Sequence, residues 1–118
     1  MTIKSHFIVV ASMDVDPQYE DLFNEVYDTE HIPHLLAVPG VHNVTRWKGR
    51  PFDLAIGGSV KQLPEPTPVY TAIYELDSPD VMRSPEWAKA VEKGRWSRQV
   101  RPFTRNRVHA MYQSCEPT

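Results

Sequence analysis

The stretch "YDTEHIPHLLAVPG", Tyr27 to Gly40, packs carboxylates, two histidines and two prolines between a helical pattern and a strand-like one. A histidine titrates near neutrality, and a carboxylate beside it orients the ring and raises its pKa. His31, next to Glu30 and three residues after Asp28, is therefore a candidate proton carrier, with Glu30 or Asp28 tuning it. The competing structural reading is that His31 only caps a helix C-terminus, where a donor suits the free carbonyls. A zinc site would need three or four ligands at defined spacing. Here the order is Glu-His-Ile-Pro-His, a proline separates His31 from His34, and no second ligand cluster follows, so no metal is expected.

Two further histidines sit in apolar, strand-like runs. His6 shares a face with Ile8 and Val10, and His109 shares one with Arg105, Arg107 and Met111. A histidine in a strand covered on both sides is costly unless it is hydrogen-bonded or lines a cavity. The aromatic residues Tyr27, Tyr70, Tyr74, Trp87 and Trp96 belong to a core by default, and would wall a pocket if one lies between helices and sheet. "AIGGSV" lacks the lysine and the strand–loop–helix setting of a phosphate loop, and no G-x-S-x-G elbow occurs.

The elements that must hold these residues follow from periodicity. "IKSHFIVVASM" (3–13) reads as a strand, and Asp16-Pro17 as an N-cap followed by proline at the first helical position. Tyr19, Leu22, Phe23, Val26 and Tyr27 then form one apolar helical stripe. Pro33 is expected to break that helix, and Pro39-Gly40 to end one further turn. Strands are expected over 41–49, 69–76 and 104–113, with a helix opened by Ser84-Pro85 and ended by Gly94. The Gly- and Pro-rich excursion 50–68 reads as irregular or as a small extra hairpin. The order β-α-β-β-α-β is ferredoxin-like: an α+β fold of two helices on one face of a four-stranded antiparallel sheet, in one domain spanning 1–118. Its usual strand order, 4-1-3-2, makes the first and last strands neighbours and brings His6 and His109 toward one another. Apolar residues on both sides of the strands call for a cover on the second face, and a second copy of the chain is the expected cover, giving a homodimer with its sheets face to face.

Composition bounds the function. With 118 residues, 41% apolar and 24% charged, the chain has enough material for one core. The apolar run Phe7–Ala11 is too short for a membrane span or a signal segment, and a single cysteine, Cys115, forbids an internal disulfide; a cytoplasmic location is expected. The net charge of −2 conceals an asymmetry: Asp14–Glu30 holds seven acids and no Lys or Arg, Lys93–Arg107 six bases and no acid. Two helices attracting one another would explain it, as would arginines that hold an anionic substrate. Nucleic-acid binding is not expected, since the net charge is negative and no aromatic–basic interleaving appears.

Over Tyr27–Trp47, the EH(x)P-type turn, "LLAVPGV" and the Arg46-Trp47 pair resemble the EthD-like branch of the dimeric α/β-barrel superfamily. That resemblance implies ferredoxin-like monomers dimerising through their sheets, among relatives that include isomerases, polyketide cyclases, cofactor-free monooxygenases and haem-degrading enzymes. His31 matches the histidine of the EthD-like turn, and His6 resembles a strand-one histidine of plant polyketide-cyclase relatives. Their second helix carries a catalytic histidine that "SPEWAKAV" lacks, and the Asn–Trp–His set of the haem degraders is not found, so no cofactor is expected. The implied activity is acid–base chemistry (dehydration, cyclisation, isomerisation or retro-aldol type cleavage) on a small hydrophobic, aromatic or polyketide-like carbonyl compound. In this reading His31 is the catalytic base or acid, His6 or His109 polarises the carbonyl, and Tyr27, Glu30, Arg46, Tyr74, Trp87 and Trp96 contact substrate. A cofactor-free monooxygenase and a non-catalytic binding protein are the alternatives.

Overall fold

The computed structural model describes residues 6–116. Strand β1 runs Phe7–Val15, burying Val9, Ala11, Met13 and Val15 on one side. It extends past the expected end at Met13 because Asp14 has local partners: its carboxylate accepts from the Val69 N–H (2.8 Å) and from Asn106 Nδ2 (2.8 Å). Asp16 caps the turn that follows, accepting from the Gln18 N–H ahead of Pro17. Helix α1 (Glu20–Val26) buries Phe23 and Val26 as its stripe requires.

Pro33 does not break this helix. The chain stays helical from α1 through a π-helical turn, Tyr27–His31, into α2 (Ile32–Leu36). The Ile32 N–H reaches back five residues to the Tyr27 carbonyl. A regular α-turn would press the proline ring against the carbonyl four residues earlier, and the wider turn relieves that clash. His31 is therefore interior to a helix, and the capping reading of it is set aside.

Strand β2 (Val41–Lys48) leads to a hairpin of β3 (Phe52–Ile56) and β4 (Ser59–Leu63). Gly57 and Gly58, at φ +63° and +81°, make the two-residue turn that demands left-handed backbone at both positions. The excursion is thus the small extra hairpin. Strand β5 (Tyr70–Leu76) follows, then α3 (Pro85–Ala90), opened by the Ser84 hydroxyl accepting from the Trp87 N–H (3.1 Å). The sequence reading assigned no element between Gly94 and the strand at 104. The chain instead forms a second helical segment, a π-turn Trp96–Val100 continuing as 3-10 helix through Phe103, before β6 (Thr104–Gln113).

The four long strands are antiparallel in the order β2-β5-β1-β6, the ferredoxin-like arrangement, with the helices on one face. The first and last strands are neighbours, yet His6 and His109 do not meet. His109 lies opposite Ala11, whereas the His6 carbonyl accepts from the Ser114 N–H. Five residues of strand, roughly 17 Å, separate the two levels. A bulge also divides the residues expected on one face of β6. Ser12 pairs with Val108 and Asp14 with Arg105, so Asn106 and Arg107 together oppose Met13. Asn106 takes φ +55°, a conformation asparagine tolerates. Arg107 and His109 consequently stay on the helix side, and Arg105 turns to the other.

That other side is uncovered among the described residues. Ile8, Val10, Ile73 and Ala110 are half-buried on it, while Trp47, Val108 and Tyr112 are exposed. No helix among the described residues is long and apolar enough to cross a membrane.

Candidate active site

A cavity of about 450 Å³ lies between the helical layer and the sheet. Val9 and Met13 of β1 and Tyr74 of β5 form its sheet wall; Met82, Trp87 and Val91 close it on the α3 side. Its polar groups are His31, Glu92, Arg101, Arg107 and His109. A larger, shallow concavity of about 750 Å³ runs along the hairpin between Arg50 and Pro64, with Asp53 and Arg50 as its ionisable groups.

His31 reaches the cavity because the π-turn keeps it on the buried side of the helix after Tyr27. Only 3% of it is exposed. Its ring stacks on Trp96 (4.3 Å between centroids, 17° between planes) and stands edge-on to Tyr27 (4.9 Å, 88°). Nδ1 is sealed and has no hydrogen-bond partner among the described residues. Buried polar atoms in folded proteins are nearly always paired, and the Nδ1 of His34 shares this condition among the described residues. Burial, then the charges of Arg101 and His34, lower the His31 pKa to about 3. The sequence reading expected a carboxylate to raise it. Neither carboxylate is available: Glu30 accepts from Arg95 Nε (2.6 Å) and from the Arg95 N–H (2.9 Å), and Asp28 from Arg46 Nη1 (2.8 Å). The Arg95 bonds hold the Glu30 carboxyl below its usual value.

A depressed histidine pKa links stability to pH. Between the ordinary value near 6.5 and about 3, the unfolded chain binds a proton at His31 that the folded chain refuses, so stability falls as pH falls through that window. From pH 6.5 to 4.5 the protein should lose about 2–3 kcal/mol more than a His31→Phe variant, measured by urea unfolding at each pH. Equal losses would show that His31 titrates normally.

The other expected site residues divide into two groups. Trp87, Trp96, Tyr74 and His109 line the cavity beside His31. Partial burial and the Arg107 charge lower the His109 pKa. Tyr27 stands one layer behind, its hydroxyl 2.6 Å from that of Tyr74, and burial raises both phenol pKa values. Arg46 is not at the cavity. Its guanidinium donates to Asp28 and to Asn24 Oδ1 (2.7 Å) and lies over the rings of Phe23, Tyr27 and Tyr70 at 5.2, 4.7 and 5.7 Å. His6 is exposed, and Glu30 is committed to Arg95; neither lines the cavity.

The two explanations of the charge asymmetry each account for part of it. Arg95 bridges Glu25 and Glu30 across the helices. Arg101 and Arg107, which the sequence reading did not single out as site residues, are at the cavity. Arg101 is held by both oxygens of Glu92 (3.0 and 2.8 Å) and by the Val91 carbonyl (2.5 Å). Alternation with His109 along β6 was the available signal for Arg107; nothing in the local pattern around Arg101 pointed inward. No three His, Cys, Asp or Glu side chains converge as metal ligands among the described residues.

No family model matches the chain, and no curated protein matches it in sequence. Solved structures do match in three dimensions. A variant of MhuD, the haem-degrader of Mycobacterium tuberculosis, solved with two manganese protoporphyrin IX per active site, superimposes with a TM-score of 0.59 at 8% identity, covering 95% of this chain and 97% of that one. An EthD family protein from Bacillus halodurans gives 0.56 at 12% identity, with coverages of 92% and 98%. SnoaB, a cofactor-independent oxygenase from Streptomyces nogalater, gives 0.51 at 14%, with 94% of each chain covered. At these identities the likeness is one of fold, the ferredoxin-like arrangement of helices on one face of a four-stranded antiparallel sheet.

Proposed function

We propose that the protein is a cofactor-independent enzyme that moves a proton next to the carbonyl of a hydrophobic, aromatic or polyketide-like compound bound in the His31 cavity. The observation that carries this is the buried, uncharged His31 ring in the wall of a cavity that it shares with Trp87, Trp96 and His109. A neutral imidazole is a base at every physiological pH. The imidazolium formed on proton abstraction would be paired at once with the enolate, and the Arg107 charge in the same cavity, unpaired among the described residues, would favour that anion. His109 would donate to the carbonyl oxygen, Trp87 and Trp96 would hold the ring system, and Tyr74 would close the sheet side.

The test is exchange of the benzylic α-hydrogens of 2-tetralone for deuterium in D2O, followed by proton NMR. The enzyme should accelerate exchange over buffer, with no loss of kcat/KM between pH 8 and 5, because the base does not protonate until about pH 3. An acidic limb near pH 6.5 would assign the chemistry to a different group.

The similarity to SnoaB, a cofactor-independent oxygenase, favours a second reading in which the carbanion formed at the same site is captured by dioxygen. Oxygen uptake in an electrode chamber separates the two, since proton transfer alone consumes none.

A homodimer with sheets face to face is part of the proposal, supported by the uncovered apolar side of the sheet. Val108→Glu with Tyr112→Glu, both at exposed positions, should convert the dimer to a folded monomer in sedimentation analysis. A dimer that survives the pair of charges would place the interface elsewhere.

A further inference from the structure

Charge is unequally compensated around the cavity. Arg101 is neutralised by Glu92, which it grips with two hydrogen bonds. Arg107 has no ion-pair or hydrogen-bond partner among the described residues, although it lines the same cavity beside His109 and Tyr74. Asp14, on the adjacent strand, faces the other side of the sheet with Arg105 and is occupied by Asn106 and the Val69 N–H, so it supplies no counter-charge to Arg107. The bulge at Asn106 holds Arg107 on the cavity side and sends Arg105 to the opposite face, so β6 delivers one guanidinium to the cavity. The helical wall carries the His31 ring, and the cavity is also lined by apolar and aromatic residues: Val9, Met13, Trp87 and Trp96. With Arg101 held by Glu92, the Arg107 charge is left without a counter-charge among the described residues at the edge of the chamber.

We infer that the ligand of this cavity is an aromatic monoanion, a flat apolar ring system bearing one carboxylate or equally acidic oxygen, and that Arg107 is the residue that selects it. This rests on the cavity being the binding site proposed above and adds the class of molecule it accepts. The guanidinium offers two parallel N–H donors to the anion. The rings lie along Trp87 and Trp96, and the carbonyl end meets His31. A carboxylate entering beside Arg107 loses less of its hydration than one buried at the chamber floor, because Arg107 itself keeps contact with solvent.

The experiment compares 2-naphthoate with 2-acetonaphthone, an uncharged molecule of nearly the same outline, by titration calorimetry and by quenching of tryptophan fluorescence. The wild type should bind 2-naphthoate about tenfold or more tightly than the ketone, the preference should weaken with added salt, and Arg107→Gln should bring the two affinities together without changing that for the ketone. Equal affinities in the wild type, or a preference that survives Arg107→Gln, would overturn the assignment of Arg107 while leaving the cavity as a binding site. Failure of both molecules to bind would overturn the cavity itself. Arg107 is exposed and unpaired among the described residues, so the substitution leaves the core untouched.

Discussion

His31→Phe should slow 2-tetralone exchange by about 10²–10⁴-fold while leaving the protein folded and no less stable. The two expectations have opposite signs because they come from different properties of one side chain. Removing the imidazole removes the proton acceptor. It also removes a sealed Nδ1 that finds no partner among the described residues, and an unpaired buried group costs about 1–3 kcal/mol. Phenylalanine keeps a flat ring against Trp96 and Tyr27, so the stacking at 4.3 Å and the edge contact at 4.9 Å have a substitute. His31→Ala is the poorer experiment, since it opens a void in the core and confuses lost chemistry with lost packing. Exchange at the wild-type rate in His31→Phe would end the catalytic assignment. Lost exchange together with lost stability would mean that the histidine is a core residue satisfied in some other way.

Arg46→Ala is expected to cost about 3 kcal/mol of stability, a fall in Tm of about 10 °C, with the affinity of the cavity for 2-naphthoate unchanged. Only 14% of the Arg46 side chain is exposed, and it covers three rings of the aromatic core while tying β2 to α1 through Asn24 and Asp28. Arg46→Lys should recover less than half of the loss, because a point charge cannot bridge two acceptors and lie flat over the rings at once. Thermal melts of the two variants beside the wild type decide the matter. A drop in naphthoate affinity in a variant that melts normally would restore Arg46 to the substrate site, where its place in the EthD-like pattern had put it.

Arg46 also shows the limit of what could be read from residues alone. Its position beside Trp47 on a strand was legible, and so were the element order, the Asp16-Pro17 start of the first helix and the sheet order. Those features depend on local periodicity and on proline and glycine chemistry. Which partner a guanidinium takes is settled in three dimensions, between segments far apart in the chain. The same holds for Glu30. Its adjacency to His31 suggested a tuned pair, yet successive residues on a helix point about 100° apart, and Glu30 turns to Arg95 across the interface. Pro33 misled for a different reason. The rule that proline ends a helix assumes a regular α-turn, and the π-turn at Tyr27–His31 is a way around it that no short sequence window reveals. The bulge at Asn106 separated Arg105 from Arg107 in the same manner, by spending one residue out of step. Trp96, His109, Tyr74 and Trp87 line one cavity because aromatic and imidazole groups near a sheet have few places to go. Arg101 lies on a helical segment to which the periodicity reading assigned no element, so its place in the cavity lining was not legible.

The hairpin between β2 and β5 has a consequence for how this chain can change. Lys48 is paired with Tyr70, and the Gly49 N–H donates to the Val69 carbonyl at 2.7 Å, so the chain departs from the sheet and rejoins it at one point. Everything from Arg50 to Pro68 is an appendage on a closed frame, and β3 contributes no buried side chain to the core. A tight turn in its place would lower the entropy of loop closure only slightly and leave the His31 cavity with all its walls. The same junction is a socket: a foreign segment whose ends lie one strand spacing apart can be spliced there, which makes it the natural point for lineages to diverge, or for an engineer to attach a second function, without disturbing the first.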